Sequence, residues 1–190
     1  MSVRKLSTAS ILSPSYKNSK IWDGTTFPGY FESIATVIAP SAGLSTITFN
    51  NIPQNYAHLQ LRMMVFNSAY GNLRFNNDTT ASNYYSHQLV GGGGGSDVIG
   101  AAYANNAYSP YSTASNQPYV EILDILDYTN TNKFKTTRAL SGVDMNGSGS
   151  VRLASNLWRS ATAINRIDLT ANTGNFAQNS HFALYGIRGA

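Results

Sequence analysis

Leu59, Leu61, Met63 and Val65 alternate with His58, Gln60 and Arg62 within Tyr56–Phe66, and this period of two limits the fold more than any other feature. Side chains along a strand point alternately to opposite faces, so the pattern predicts a half-buried antiparallel strand. Similar strand signals recur at short intervals: Phe31–Val37, Ser45–Phe49, Asn72–Asn76, Tyr84–Val90, Val120–Tyr128, Lys133–Leu140, Val151–Leu157, Ile164–Thr170 and His181–Ile187. In Ser45–Phe49, Ile47 and Phe49 share one face. No segment keeps helical amphipathicity over three turns.

The punctuation agrees with strands. Asn50, Asn51 and Pro53 separate two of them, and Tyr70–Gly71–Asn72 and Asn76–Asn77–Asp78 suit tight connections. Asn146–Gly147 favours positive φ at both central turn positions, and Asn172–Thr173–Gly174–Asn175 is a further turn. The fold expected is all-β: one antiparallel β-sandwich, with a jelly roll as the favoured topology, behind an extended N-terminal arm. The boundaries expected are 1–28 for the arm and 29–190 for the sandwich.

Val120–Gly142 reads as a hairpin with an Asn/Thr-rich tip, where Asn130 and Asn132 tolerate left-handed backbone. Ile122, Leu123, Ile125 and Leu126 make it apolar on both faces, interrupted by Asp124 and Asp127. It holds no nucleophile–base pair and no metal-ligand cluster.

The order and spacing of several motifs carry a resemblance. DILDYTNTNKFKT is followed by RALSGVDMNGSG, LWRSATAINRIDL and NFAQNSHFALYGI, and preceded by FESIATV, TFNNIPQNYAHLQLR and RFNND. Together they resemble a family of small β-rich virion proteins of tailed phages, from about Phe31 to Ile187. The resemblance implies a phage structural component and supplies no catalytic residues. It implies a virion location after assembly in the host cytoplasm, with other phage virion proteins as partners. By analogy with other phage appendages it implies a homo-oligomer, a trimer being favoured.

Composition narrows the alternatives. A chain of 190 residues suits one domain with a real core. Charged residues are 12%, about half the usual share, which disfavours long solvated helices and is compatible with surface buried between subunits. Cysteine is absent, so disulfides, thiolate catalysis and Cys-based zinc sites are excluded. STASILSPSY, after Arg4 and Lys5, lacks the apolar core of a signal peptide. No run approaches the roughly 20 apolar residues of a membrane helix, so no membrane insertion is expected. The net charge of +4 is scattered rather than striped, so no nucleic-acid partner is expected.

Two regions stand out as contact surfaces. In the arm, Ile11, Leu12, Tyr16, Ile21, Trp22 and Phe27 are candidate anchors on a neighbouring subunit, Trp22 foremost because its ring needs burial. Val90 to Pro118 reads as a long irregular insertion opening on Gly91–Gly95. Tyr84, Tyr85, Tyr103, Tyr108, Tyr111 and Tyr119 cluster in and beside it, a composition suited to protein contact or to stacking on a host glycan.

Catalytic and cofactor patterns are weak. Ser96 and Asp97 stand where a phosphate loop needs Lys and Ser/Thr, so no nucleotide is expected. His58, His87 and His181 lie in separate strands, and Glu32, Asp78, Asp97, Glu121, Asp124, Asp127, Asp144 and Asp168 are dispersed. Asp144, Asn146 and Ser148 have the start of a calcium-loop spacing, but position 155 is Ser, not the bidentate Glu. The expectation is therefore a non-enzymatic protein without cofactor or metal, a tail fibre or baseplate appendage component. The alternatives are a capsid cement protein and, less favoured, a glycan-cleaving enzyme using carboxylates such as Glu121 or Asp168.

Overall fold

The computed structural model describes residues 31–67, 70–93, 98–107, 109–110 and 114–188. The expected arm, 1–28, with Ile11, Leu12, Tyr16, Ile21, Trp22 and Phe27, lies outside the described residues.

Among the described residues the chain forms eleven strands: β1 (Phe31–Ile38), β2 (Thr46–Phe49), β3 (His58–Asn67), β4 (Gly71–Phe75), β5 (Tyr84–Gly93), β6 (Val98–Ala104), β7 (Ala114–Leu126), β8 (Lys135–Asp144), β9 (Gly149–Trp158), β10 (Ile167–Ala171) and β11 (His181–Ile187). One 3-10 turn, Ala81–Asn83, precedes β5. All pairings are antiparallel, as the period-two patterns require.

Eight strands form one sheet in the order β1-β11-β3-β7-β8-β9-β5-β6, and β2-β10-β4 form a second. This eight-plus-three division differs from the two matched sheets of a jelly roll. The sheets share one core. Ile47 and Phe49 of β2, Leu73 and Phe75 of β4, and Ile167 and Leu169 of β10 pack with Leu59, Leu61, Met63 and Val65 of β3, Leu123 and Ile125 of β7, and Phe182 and Leu184 of β11. The alternation read in β3 is therefore the inside–outside alternation of the structure.

Turn residues set the connections. Asn146 (φ 55°) and Gly147 (φ 99°) take the left-handed backbone that joins β8 to β9. Asn76 (φ 51°) and Asn77 (φ 58°) do the same after β4. At the tip between β7 and β8 the left-handed residue is Asp127 (φ 47°), not Asn130 or Asn132. Asn130 instead accepts the Asn132 amide on its side chain at 2.7 Å, without taking positive φ itself. Gly71 lies within β4 rather than in a turn. Only glycine fits there, because a Cβ would collide with the Ser109 carbonyl and the Pro110 ring.

The expected irregular insertion is corrected. β5 continues through Gly93, β6 returns beside it, and β7 begins at Ala114. Gly91–Gly93 read as a loop because glycine weakens isolated strands. Here β9 pairs with the whole of β5, including Gly91, Gly92 and Gly93, and the ladder outweighs that propensity.

Candidate functional site

The outer face of the large sheet, turned away from β2-β10-β4, is the surface with no partner among the described residues. Strand parity builds it. In β7, Leu123 and Ile125 point into the core, so Val120, Ile122, Asp124 and Leu126 point outward. Register then aligns the outward side chains in rows across the strands. Ile122 stands opposite Leu140, Leu140 opposite Leu153, Leu153 opposite Leu89, and Leu89 opposite Gly100. The adjacent row runs Met64, Val120, Gly142, Val151 and Gly91. On the other side, Gln60, Asp124, Arg138, Ser155, His87 and Ala102 form a polar row.

The two apolar rows are wet. Val120, Ile122, Leu140, Val151, Leu153 and Leu89 are 42–63% exposed, and Met64 is 40% exposed. Together they present on the order of 600 Å² of contiguous apolar surface, the upper end of what a typical monomer shows. Beside this ridge the surface drops into a groove of about 500 Å³, floored by Gly100, Ala101 and Ala102 and walled by Leu89, Leu153 and Arg138. A second depression of about 350 Å³ lies between Met64, Val120, Ile122, Leu140 and Arg62. Arg62 closes the band on the β3 side, its guanidinium 5.0 Å from the Phe31 ring and 5.7 Å from that of Tyr185. Gln60 donates to Asp124 at 2.8 Å in the polar row.

Two glycines of this face, Gly91 and Gly100, have no contact among the described residues that would exclude a side chain. A Cβ built on Gly91 or Gly100 meets nothing within 4 Å, and neither residue takes positive φ. Glycine within a strand often marks a bulge, a bend, or close approach by a ligand or another backbone.

The inner face of β8, β9 and β5 is polar and closed. Ser86, Gln88, Thr137, Ser141, Arg152 and Asn156 are buried, as are Glu121 of β7 and Lys135. Arg152 donates to Gln88 at 2.5 Å, Tyr119 to Ser141 at 2.6 Å, and Ser109 to Glu121. Lys135 donates to the carbonyls of Asn130, Lys133 and Ala161, at 2.5, 3.1 and 3.2 Å. Burial, with Lys133 nearby, pushes the Lys135 ammonium below its ordinary pKa. The Ser109 and Lys135 contacts tie loops to the sheet, and the other two link its strands.

The structure separates the tyrosines read as a cluster. Tyr84 is buried in the core, and Tyr119 is buried against Val143. Tyr85 is half-buried with Arg159 6.0 Å from its ring, while Tyr103 of β6 is exposed. Tyr108 and Tyr111 lie outside the described residues. The other candidates are not brought together either. Glu121 is in the large sheet, and Asp168 is in the small one, held by Arg166 at 2.7 and 2.8 Å and by Thr48 at 2.6 Å. His58 and His181 stand at opposite ends of the β3–β11 ladder, and His87 is on β5. No group of three metal-ligating residues occurs among the described residues.

Val151, Leu153, Leu140 and Leu89 were not among the candidate residues read from the sequence. Their signal is the adjacent apolar pair, as in Ile122–Leu123, Ala139–Leu140 and Leu153–Ala154, which puts apolar groups on both faces of central strands.

The fold is an all-β antiparallel sandwich. Beyond that class, no known protein family matches the chain, and no curated protein matches it.

Proposed function

We propose that this chain is a non-enzymatic structural protein of a phage virion, a tail fibre or baseplate appendage component built into the particle through protein–protein contacts. The observation that supports it best is the exposed aliphatic face on an otherwise closed all-β body. A rigid sheet bearing that much apolar surface suits assembly, since such patches mark interaction sites. Its low charge fits the same reading. The motif resemblance supplies the virion context.

The alternative is a capsid cement protein. It gains from the separation of the tyrosines: an aliphatic face suits lying flat on a protein shell better than stacking on a host glycan. The arm, with Ile11, Leu12, Tyr16, Ile21, Trp22 and Phe27, remains the proposed attachment to a neighbouring subunit.

Immunogold electron microscopy of intact virions, with an antibody to the sandwich, tests this. Gold along the tail or at its tip supports the appendage reading. Gold over the head supports the cement reading. Unlabelled particles with a working antibody overturn an exposed virion role.

A further inference from the structure

We infer that the outer face of the large sheet is covered by the same face of a second copy, in a two-fold, sheet-on-sheet dimer. This rests on reading that face as an assembly surface, and it names the occupant.

Area is the first support. About 600 Å² of apolar surface plus its polar border approaches the roughly 800 Å² that each partner contributes to a stable interface. The layout matches such an interface, with an apolar centre and a polar rim of Gln60, Asp124, Arg138, Ser155 and His87 on one side.

Relief is the second support, and it selects a copy over another protein. The face carries both a ridge and a matching trough. In the row Ile122, Leu140, Leu153, Leu89, Gly100, the bulky end is on β7 and the empty end on β6. A two-fold axis parallel to the strands, above β9, reverses strand order while keeping each row over itself. Ile122 of one copy then lies over Gly100 of the other, Leu140 over Leu89, and Leu153 over its own mate. Ile122 fills the space that Gly100 leaves open, so one operation accounts for the exposed aliphatics of this row and for its glycine, while in the adjacent row it sets Gly91 over Gly142. Sheets packed this way sit about 10 Å apart, the spacing such side chains fill. A face that is its own complement makes an isologous pair, whereas a trimer needs two different surfaces.

The test uses the full chain. Sedimentation equilibrium at about 100 µM is expected to give a dimer, twice the 20.5 kDa chain. Leu140→Arg is expected to weaken dimerisation at least about 100-fold by placing a charge at the centre of the face. Gly100→Leu is the sharper variant. An added Cβ there meets nothing within 4 Å, so the thermal midpoint, measured at a concentration where wild type and variant are both monomeric, should hold while the dimer weakens about tenfold or more. Because the chain has no cysteine, Leu153→Cys should cross-link into a dimer with a short bis-maleimide reagent, which spans the gap between facing sheets that a direct disulfide cannot, and Thr46→Cys on the small sheet should not. A monomeric wild-type chain overturns the inference. So does a dimer that Leu140→Arg and Gly100→Leu both leave intact, which would place the contact elsewhere. Either failure leaves the virion reading standing, because immunogold labelling does not depend on which surface pairs.

Discussion

Asp78 ties three elements together, and replacing it with asparagine should cost about 2 kcal/mol near neutral pH. Its Oδ2 accepts from Trp158 Nε1 and from Asn83 Nδ2, both at 2.7 Å, and its Oδ1 accepts the Thr80 amide at 2.9 Å. Burial alone would raise the carboxyl, but these donors outweigh it and hold it at about 2, against 3.8 for the free group. Each pKa unit is about 1.4 kcal/mol, so a shift of nearly two units is worth roughly 2 kcal/mol. A depressed carboxyl stabilises the fold above its unfolded pKa and loses that contribution as pH falls through its folded pKa. The contribution should be complete above about pH 5, roughly half gone near pH 3 and nearly absent at pH 2. In Asp78→Asn the new side-chain amide would offer one acceptor oxygen and turn its nitrogen towards donors. Urea unfolding of both proteins at pH 7, 5, 3 and 2, followed by circular dichroism, measures the gap directly. A gap below about 0.5 kcal/mol at pH 7, or one constant from pH 7 to pH 2, would refute the reasoning.

Two further substitutions probe how the sandwich is closed. Gly186→Ala would bring a Cβ within 2.5 Å of the Tyr56 ring, displace it and break its 2.8 Å hydrogen bond to Glu32, so stability should fall by about 1–3 kcal/mol in urea unfolding. Lys135→Met keeps the length of the buried stem but leaves the carbonyls of Asn130, Lys133 and Ala161 without their donor. It should cost about 2–4 kcal/mol by the same assay, and a neutral result would mean that those carbonyls find other partners.

Strand existence was legible in the sequence because period two is a local signal. His181–Ile187 matches β11 at both ends, and Phe31–Val37 falls one residue short of β1. β6 was missed for a physical reason. Val98–Ala104 is mostly small residues with one Tyr, which carry little alternation, and its pairing with β5 is a tertiary fact. Tyr84 and Tyr119 were read as contact aromatics beside the expected insertion, yet both side chains sit inward by strand parity, which depends on the register of the sheet.

The outer face was half legible, and the missing half has a physical cause. Ile122 and Leu126 were visible as apolar residues on the second face of their hairpin, but a strand apolar on both faces normally means a sheet covered on both sides within its own fold. The eight-plus-three division leaves the described residues without the material to do that. Three short strands cannot cover both sides of eight, and their core side chains interleave with β11, β3 and β7 on one side alone. No described residue covers the apolar rows on β7, β8, β9 and β5, although each half-exposed Leu or Ile forgoes roughly half of the about 1.5–3 kcal/mol that full burial of such a side chain is worth. Nothing in the packing of the described residues asks for them: polar side chains at Leu140, Val151 and Leu153 would keep the same inward packing and the same ladder. A pattern that gives the described fold nothing is explained by a contact with something other than the described residues, and in the proposed dimer that is a second copy. That is why the occupant of this face is the question on which the assembly reading turns.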